Sequence, residues 1–495
     1  MKCYAVGIDI GTSSVKTVLT DESLHPFAQS RREIRSFYPF PGWVEQDAEE
    51  IYLLVLESIS EILSVSGISK RDIIGIGLDH QGESCLVWDK NTGKPVYPMI
   101  TWQDRRASRE AAVIRETYGK TILEITGQPA DSYYSAYKLR WILDRTKKDP
   151  SSLLAGTLNS YIIWRMSGGK DHIIDHASAV CTLLFDPRRD DWDPDLLGIF
   201  GISKEMLPSV VPSIGFIPLF DAAGIPVLAT SPDSQAGMFG IGAIRKGSLI
   251  TTYGTGNFMH LAAGTEFTGA QKGLTNTILF SSPSERIFQL NGICYTAGSA
   301  VKWLIDGLGL LNSDGEASDL AKSVENSGGV SFIPALSGFA TPYWKENARG
   351  ALLGLTAGVG RGHIVRAVLE SIAFQVANVF EIMKTVSVMK PAHMIALGGM
   401  TGNDFLMQFQ ADMLGIPVII PSRTEPCFGA AGLAFAAKEK IFRSDECPYN
   451  ADPVKQYEPA LNEADRLAVL TEWQAALAFQ LENSSRTPGR DSLSG

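Results

Sequence analysis

The strongest constraint on this chain is one local design that occurs twice, almost half a chain apart. Residues 7–16, GIDIGTSSVK, carry an apolar run that breaks after Asp9 into Gly11-Thr12-Ser13-Ser14 and then resumes. Residues 249–259, LITTYGTGNFM, repeat it around Thr252-Tyr253-Gly254-Thr255-Gly256. The first reads as a β-hairpin, with Tyr4 to Ile8 as a buried strand and Val15 to Leu19 as its return. A tight turn of this composition offers successive backbone N–H groups to an anion, and an aspartate beside a bound phosphate can hold a divalent cation through water. A single turn of this kind is usually only a hairpin. Two of them imply two similar domains.

Bulk properties agree. The 495 residues exceed single-core size, so two domains of about 200 to 250 residues are expected. Hydrophobic residues make up 45% and charged residues 20%, as in ordinary globular chains. The net charge of −10 argues against nucleic acid or an anionic membrane as the main partner, because both favour a basic face. The six cysteines form no CxxC pair and read as reduced thiols of a cytoplasmic protein. MKCYAVGIDIG does not read as a signal peptide, and no run of 18 apolar residues occurs, so no membrane association is expected.

Along the chain, Asp47 and Glu50 form a capping-box pattern before a helix with Ile51, Val55, Ile59, Ile62 and Leu63 on one face. Residues 73–78 read as a strand ending at Asp79-His80-Gln81-Gly82-Glu83, with His80 open as a ligand, a base or a satisfied polar group. Trp102 in TWQDRR and the aromatics at 133, 134, 137 and 141 suit a sugar-binding wall or a core. The prolines of 187–212 suggest an irregular connection. Asp233 stands at a strand-to-helix junction, open to a chemical role or to that of an N-cap. Gly298 marks a turn or helix start, 332–344 a threaded loop, and 363–384 a buried helix with an Arg366–Glu370 pair. A strand then ends at Gly398-Gly399 before a helix starting near Asn403, and the tail from Asn483 is polar and expected to be disordered.

These stretches, with PGWVEQD at 41, VWDKNTGKPV at 87, YYSAYKLRW at 133 and TPYWKENARGALLGL at 341, resemble the FGGY family of carbohydrate kinases, within it the glycerol kinase branch. The resemblance implies an α/β fold of two ribonuclease H-like domains with a catalytic cleft between them. It divides the chain into 1–244, 245–445 and a C-terminal extension over 446–495. It implies transfer of the γ-phosphoryl group of ATP, with Mg2+, to a terminal hydroxyl. Asp233 matches the general base, and Asp9 with Asp233 the magnesium-associated pair. Thr12, Ser13, Ser14 and Thr255 match the phosphate turns; Gly298, Lys302, Gly399 and Asn403 match the nucleotide site. Gly82, Glu83, Trp102, Tyr133, Asp233, Ser234 and Phe258 match the substrate site.

Three positions depart from the glycerol kinase pattern. Lys302 replaces the usual glutamine, Gly82 an arginine and Ser234 a glutamine. The expected enzyme is therefore a kinase of a polyol or ketose other than glycerol, forming a homodimer or homotetramer. Glycerol kinase proper is the alternative, and a silent nucleotide-binding scaffold is the alternative of another class.

Overall fold

A computed structural model describes residues 3–220, 224–345, 347–387 and 389–484. Strand β1 (Tyr4–Ile10) turns at Gly11, whose N–H donates to the Ser14 carbonyl at 3.1 Å, into β2 (Ser14–Thr20). Strand β3 (Pro26–Glu33) follows antiparallel. Helix α1 (Ala48–Ser66) starts at Asp47, whose carboxylate accepts from the Glu49 and Glu50 N–H groups; Glu50 itself turns to Arg35, so the capping box is only half formed. Strand β4 (Ile73–His80) runs parallel to β1 and carries Asp79 and His80 inside the sheet. Helix α2 (Ser135–Leu143), strand β5 (Ile214–Phe220) and strand β6 (Pro226–Pro232) belong to this half, and helix α3 (Asp233–Gly240) leads out of it. The sheet order is β5-β6-β4-β1-β2-β3.

The second half repeats the plan. Strands β7 (Leu249–Tyr253), β8 (Asn257–Gly264), β9 (Thr275–Ser281) and β10 (Arg286–Cys294) pair antiparallel, and helix α4 (Gly298–Lys302) follows. Helix α5 (Arg361–Val386), β11 (Met394–Leu397), α6 (Asp404–Leu414), β12 (Val418–Pro421), α7 (Pro426–Glu439), β13 (Pro453–Tyr457) and α8 (Glu463–Ser484) complete it. The order β9-β10-β8-β7-β11-β12-β13 contains an antiparallel meander β10-β8-β7 followed by parallel β11 and β12. The meander β3-β2-β1 followed by parallel β4 and β6 has the same topology. The hairpins β1–β2 and β7–β8 therefore occupy equivalent places.

Each half has its own apolar core, and a further cluster joins Ala5, Leu228 and Phe239 to Ile250, Ile395 and Phe428 across the halves. Its axis is α7, which lies on β1, β4 and β6. The approach is so close that a Cβ on Gly7 or Gly77 would stand 1.8 Å from the Cys427 or Ala430 carbonyl oxygen. Helix α5 is long and apolar enough to cross a bilayer, yet 78% of its most apolar window is buried against the second core.

Two expectations need correction. The 187–212 stretch is not wholly irregular: Asp193 caps a helix over Pro194–Phe200, with Pro194 at the first position, where its missing N–H costs nothing. The segment from 446 is no appendage, since β13 pairs with β12, and Leu470, Trp473 and Leu477 of α8 enter the second core. The helix also continues past Asn483 to Ser484; the remainder of the tail lies outside the described residues.

Candidate active site

Three aspartates meet at the C-terminal ends of the parallel strands. Asp9 of β1 stands opposite Asp79 of β4, and Asp79 stands opposite Ser231 of β6, two residues before Asp233. Asp9 is buried and accepts a 3.1 Å bond from Lys16 Nζ, its cross-strand partner in the hairpin. Both carboxylate oxygens of Asp79 are buried, and burial, then Asp9 and Asp233, holds this carboxyl well above the usual range. Asp233 is the first helical residue of α3; Pro232 takes the N-cap place, so the capping role is not realised. Its Oδ1 accepts the Ser234 N–H at 2.6 Å. Burial, then the charge of Asp9, with Glu83 adding to it, pushes its pKa up to about 7. His80, by contrast, bridges the Gln81 carbonyl and the Ser178 hydroxyl, and burial lowers it to about 3. It is a satisfied neutral ring, neither base nor ligand.

Glu83 and Tyr133 face each other beside this cluster. Burial raises the Glu83 carboxyl, while a hydrogen bond from Tyr133 and the charge of Lys138 oppose the rise. The Trp102 ring meets the Tyr133 ring edge-on at 6.0 Å, and its indole N–H donates to Thr12 Oγ1 at 2.9 Å. These two rings are thereby tied directly to the turn of the first hairpin. A second tie runs from the Ser84 hydroxyl to Gln81 Oε1, from Gln81 to Gln46, and from Gln46 Nε2 to the Thr12 carbonyl at 2.7 Å. Tyr134, Tyr137 and Trp141 are core residues, whereas Trp102 and Tyr133 are only partly buried. Ser13 is exposed on the turn, and Ser234 is exposed at the start of α3. Ser14 lies buried in β2, with its side chain away from the open face of the turn. A Cβ on Gly82 would meet Cys181 Sγ at 3.3 Å, so the space left by the missing side chain is bounded by a thiol.

The second hairpin builds the other side. The carbonyls of Gly254 and Thr255 accept from the N–H groups of Gly298 and Ser299 at 2.9 and 3.1 Å, which fixes the start of α4 against the turn. Thr252 pairs with Leu397, so the turn and the Gly398-Gly399 bend share one sheet edge. Gly398 has φ +96°, which favours glycine, whereas a Cβ on Gly399 would meet nothing within 4 Å. Asn403 caps α6, its Oδ1 accepting the Leu406 N–H at 3.0 Å. Thr255, Lys302 and Phe258 are exposed on this side.

Sequence reasoning did not single out Lys16, Asp79 or Lys138, which lie against Asp9, Asp233 and Glu83. Lys16 lies inside the quoted hairpin motif, and strand alternation opposite Asp9 is the signal that finds it. Asp79 was visible only as a polar strand end.

Residues 4–240 match the N-terminal domain of the FGGY family of carbohydrate kinases, and residues 249–438 match its C-terminal domain. The chain belongs to the FGGY family. Among curated relatives of this FGGY kinase are a glycerol kinase of Rippkaea orientalis, 39% identical over 96% of this chain and 97% of the relative, and glycerol kinase 2 of Thermotoga maritima, 38% identical over 97% and 99%. The crystal structure of Plasmodium falciparum glycerol kinase with ADP superposes with a TM-score of 0.89 at 28% identity, covering 97% of this chain and 98% of that one. Xylulose kinase from Lactobacillus acidophilus shares the fold, with a TM-score of 0.84 at 22% identity over 98% of each chain. This FGGY kinase is an ATP-dependent phosphotransferase acting on an alcohol group of a sugar or polyol.

Proposed function

We propose that the acceptor is a four- to seven-carbon polyol or ketose rather than glycerol, phosphorylated at a terminal hydroxyl. The observation that carries this reading is that neither Arg105 nor Arg106 takes the place left at Gly82. Arg106 is fully buried, stacked 3.9 Å from the Trp43 ring and paired with Asp104 at 2.7 Å and Glu45 at 2.9 Å. Arg105 is engaged by Asp131 at 3.0 Å, and that carboxylate also holds the Tyr133 N–H. Gly82 and Ser234 then leave room for hydroxyls that glycerol lacks.

In this reading Asp233 accepts the acceptor proton as the new P–O bond forms, since an alcohol is too weak an acid to ionise freely. A pKa near 7 suits that task. Glu83, Trp102 and Tyr133, with Gly82, Ser234 and Phe258, hold the acceptor. Thr12, Ser13, Ser14 and Thr255 hold the phosphates through their turns, and Gly298, Lys302, Gly399 and Asn403 surround the nucleoside. Mg2+ fits Asp9 and Asp233, because these two crowded carboxylates repel each other and Lys16 pairs with only one of them. Such an ion would neutralise charge on the phosphoryl oxygens; the residues themselves position the reactants and exclude water. We further propose residues 1–244 as the acceptor domain, residues from 245 as the nucleotide domain, and a cytoplasmic homodimer or homotetramer. The cysteines of the described residues form no disulfide, which fits that compartment.

Glycerol kinase proper is the second reading, favoured by the 38–39% identity to glycerol kinases. The variant Gly82→Arg/Ser234→Gln separates the two. A hydrogen bond from a charged group contributes about 1.5–3 kcal/mol, so the swap is expected to raise glycerol kcat/KM by roughly 10- to 100-fold and to lower that for longer acceptors. A swap that leaves glycerol unimproved in a folded enzyme contradicts the proposal.

A further inference from the structure

Beneath the acceptor side lies a lysine that the chemistry above does not use. Lys138, in the first turn of α2, is fully buried, although lysine is almost never buried without a partner. Its Nζ donates to the Tyr133 carbonyl and, at 3.3 Å, to the Glu83 carbonyl. Ser135, one turn earlier, donates its hydroxyl to the same Glu83 carbonyl at 3.0 Å. The ammonium also lies 5.8 Å from the centre of the Tyr133 ring. The Tyr133 side chain also acts on the Glu83 carboxyl, holding its pKa down against burial. Lys138 therefore holds two peptides whose side chains lie beside each other.

An apolar side chain of similar length would fill this volume without the cost of taking an ammonium out of water. The charge is explained by what it holds, two peptides from chain segments 50 residues apart whose side chains face the acceptor. We propose that Lys138 is a positioning residue of the acceptor site, setting the spacing and orientation of Glu83 and Tyr133 without touching the acceptor. The inference rests on the placement of the acceptor at those two residues.

The test compares Lys138→Met, Lys138→Arg and Glu83→Gln in the full-length enzyme, with the best polyol or ketose of the wild type as acceptor and thermal melting as the check on folding. Lys138→Met is expected to raise the acceptor KM by roughly 10-fold or more while leaving the ATP KM within about twofold, because both lost bonds lie on the acceptor side. Lys138→Arg keeps the charge but not the compact head, and is expected to fall between wild type and Lys138→Met. A folded Lys138→Met with unchanged acceptor KM, or with acceptor and ATP KM raised alike, overturns the inference. If that variant does not fold, an acceptor KM of wild-type size in Lys138→Arg overturns it. Glu83→Gln separates the two levels: an unchanged acceptor KM there rejects the acceptor placement itself, whereas a raised one beside an unaffected Lys138→Met rejects only the positioning role.

Discussion

Asp233 gains its proposed chemistry from its neighbours. Burial and the charge of Asp9 push its pKa up to about 7, where a base is both sufficiently ionised and a strong enough proton acceptor. Because the ionised form is the active one, kcat/KM is expected to fall as pH drops below about 7 and to level off above it. A profile flat from pH 5 to 8 would reject the assignment. Asp233→Asn removes the base and leaves both phosphate turns, so phosphorylation is expected to drop by about 10²–10⁴-fold with nucleotide affinity retained. Retention of more than about a tenth of the rate would sink it. Asp9 and Asp233 stood out in the sequence because one breaks an apolar strand before a polar turn and the other stands at a strand-to-helix junction. Lys138 did not, since its partners at Glu83 and Tyr133 come together only when α2 packs against the strand Cys85–Asp89 that follows Glu83.

At the level of elements, the hairpins were legible from alternation and turn composition, and their topological equivalence followed from the sheets. The helix at Pro194 was missed because proline was read as a breaker, when after a capping aspartate it starts a helix. Strand β13 was missed because most of its residues are exposed and nothing alternates. The close seam of α7 was also invisible, because glycines in strands carry no label for what crosses them. It yields a direct test: Gly77→Ala drives a Cβ to 1.8 Å from the Ala430 carbonyl oxygen, while Gly198→Ala meets nothing within 4 Å. The first is expected to cost on the order of 1–3 kcal/mol and lower the melting temperature by several degrees. The second is expected to leave it unchanged or slightly raised. Equal melting of the two variants would show that the seam is not tightly packed.

For the whole molecule, two halves of one topology each present a phosphate-type turn and share a core along α7, an arrangement suited to closure around two substrates. Saturating acceptor with a non-hydrolysable nucleotide is expected to reduce the radius of gyration in small-angle scattering; an unchanged curve would count against closure. The fold was legible as a whole because a repeated motif constrains both halves at once. The acceptor was not, because it depends on what fills the space beside Gly82 and Ser234. The most direct measurement is therefore ADP release by the wild-type enzyme across glycerol and a panel of four- to seven-carbon polyols and ketoses. The expected result is a kcat/KM for at least one longer acceptor roughly 10-fold or more above that for glycerol; glycerol ranking first would contradict the account and leave the enzyme a glycerol kinase.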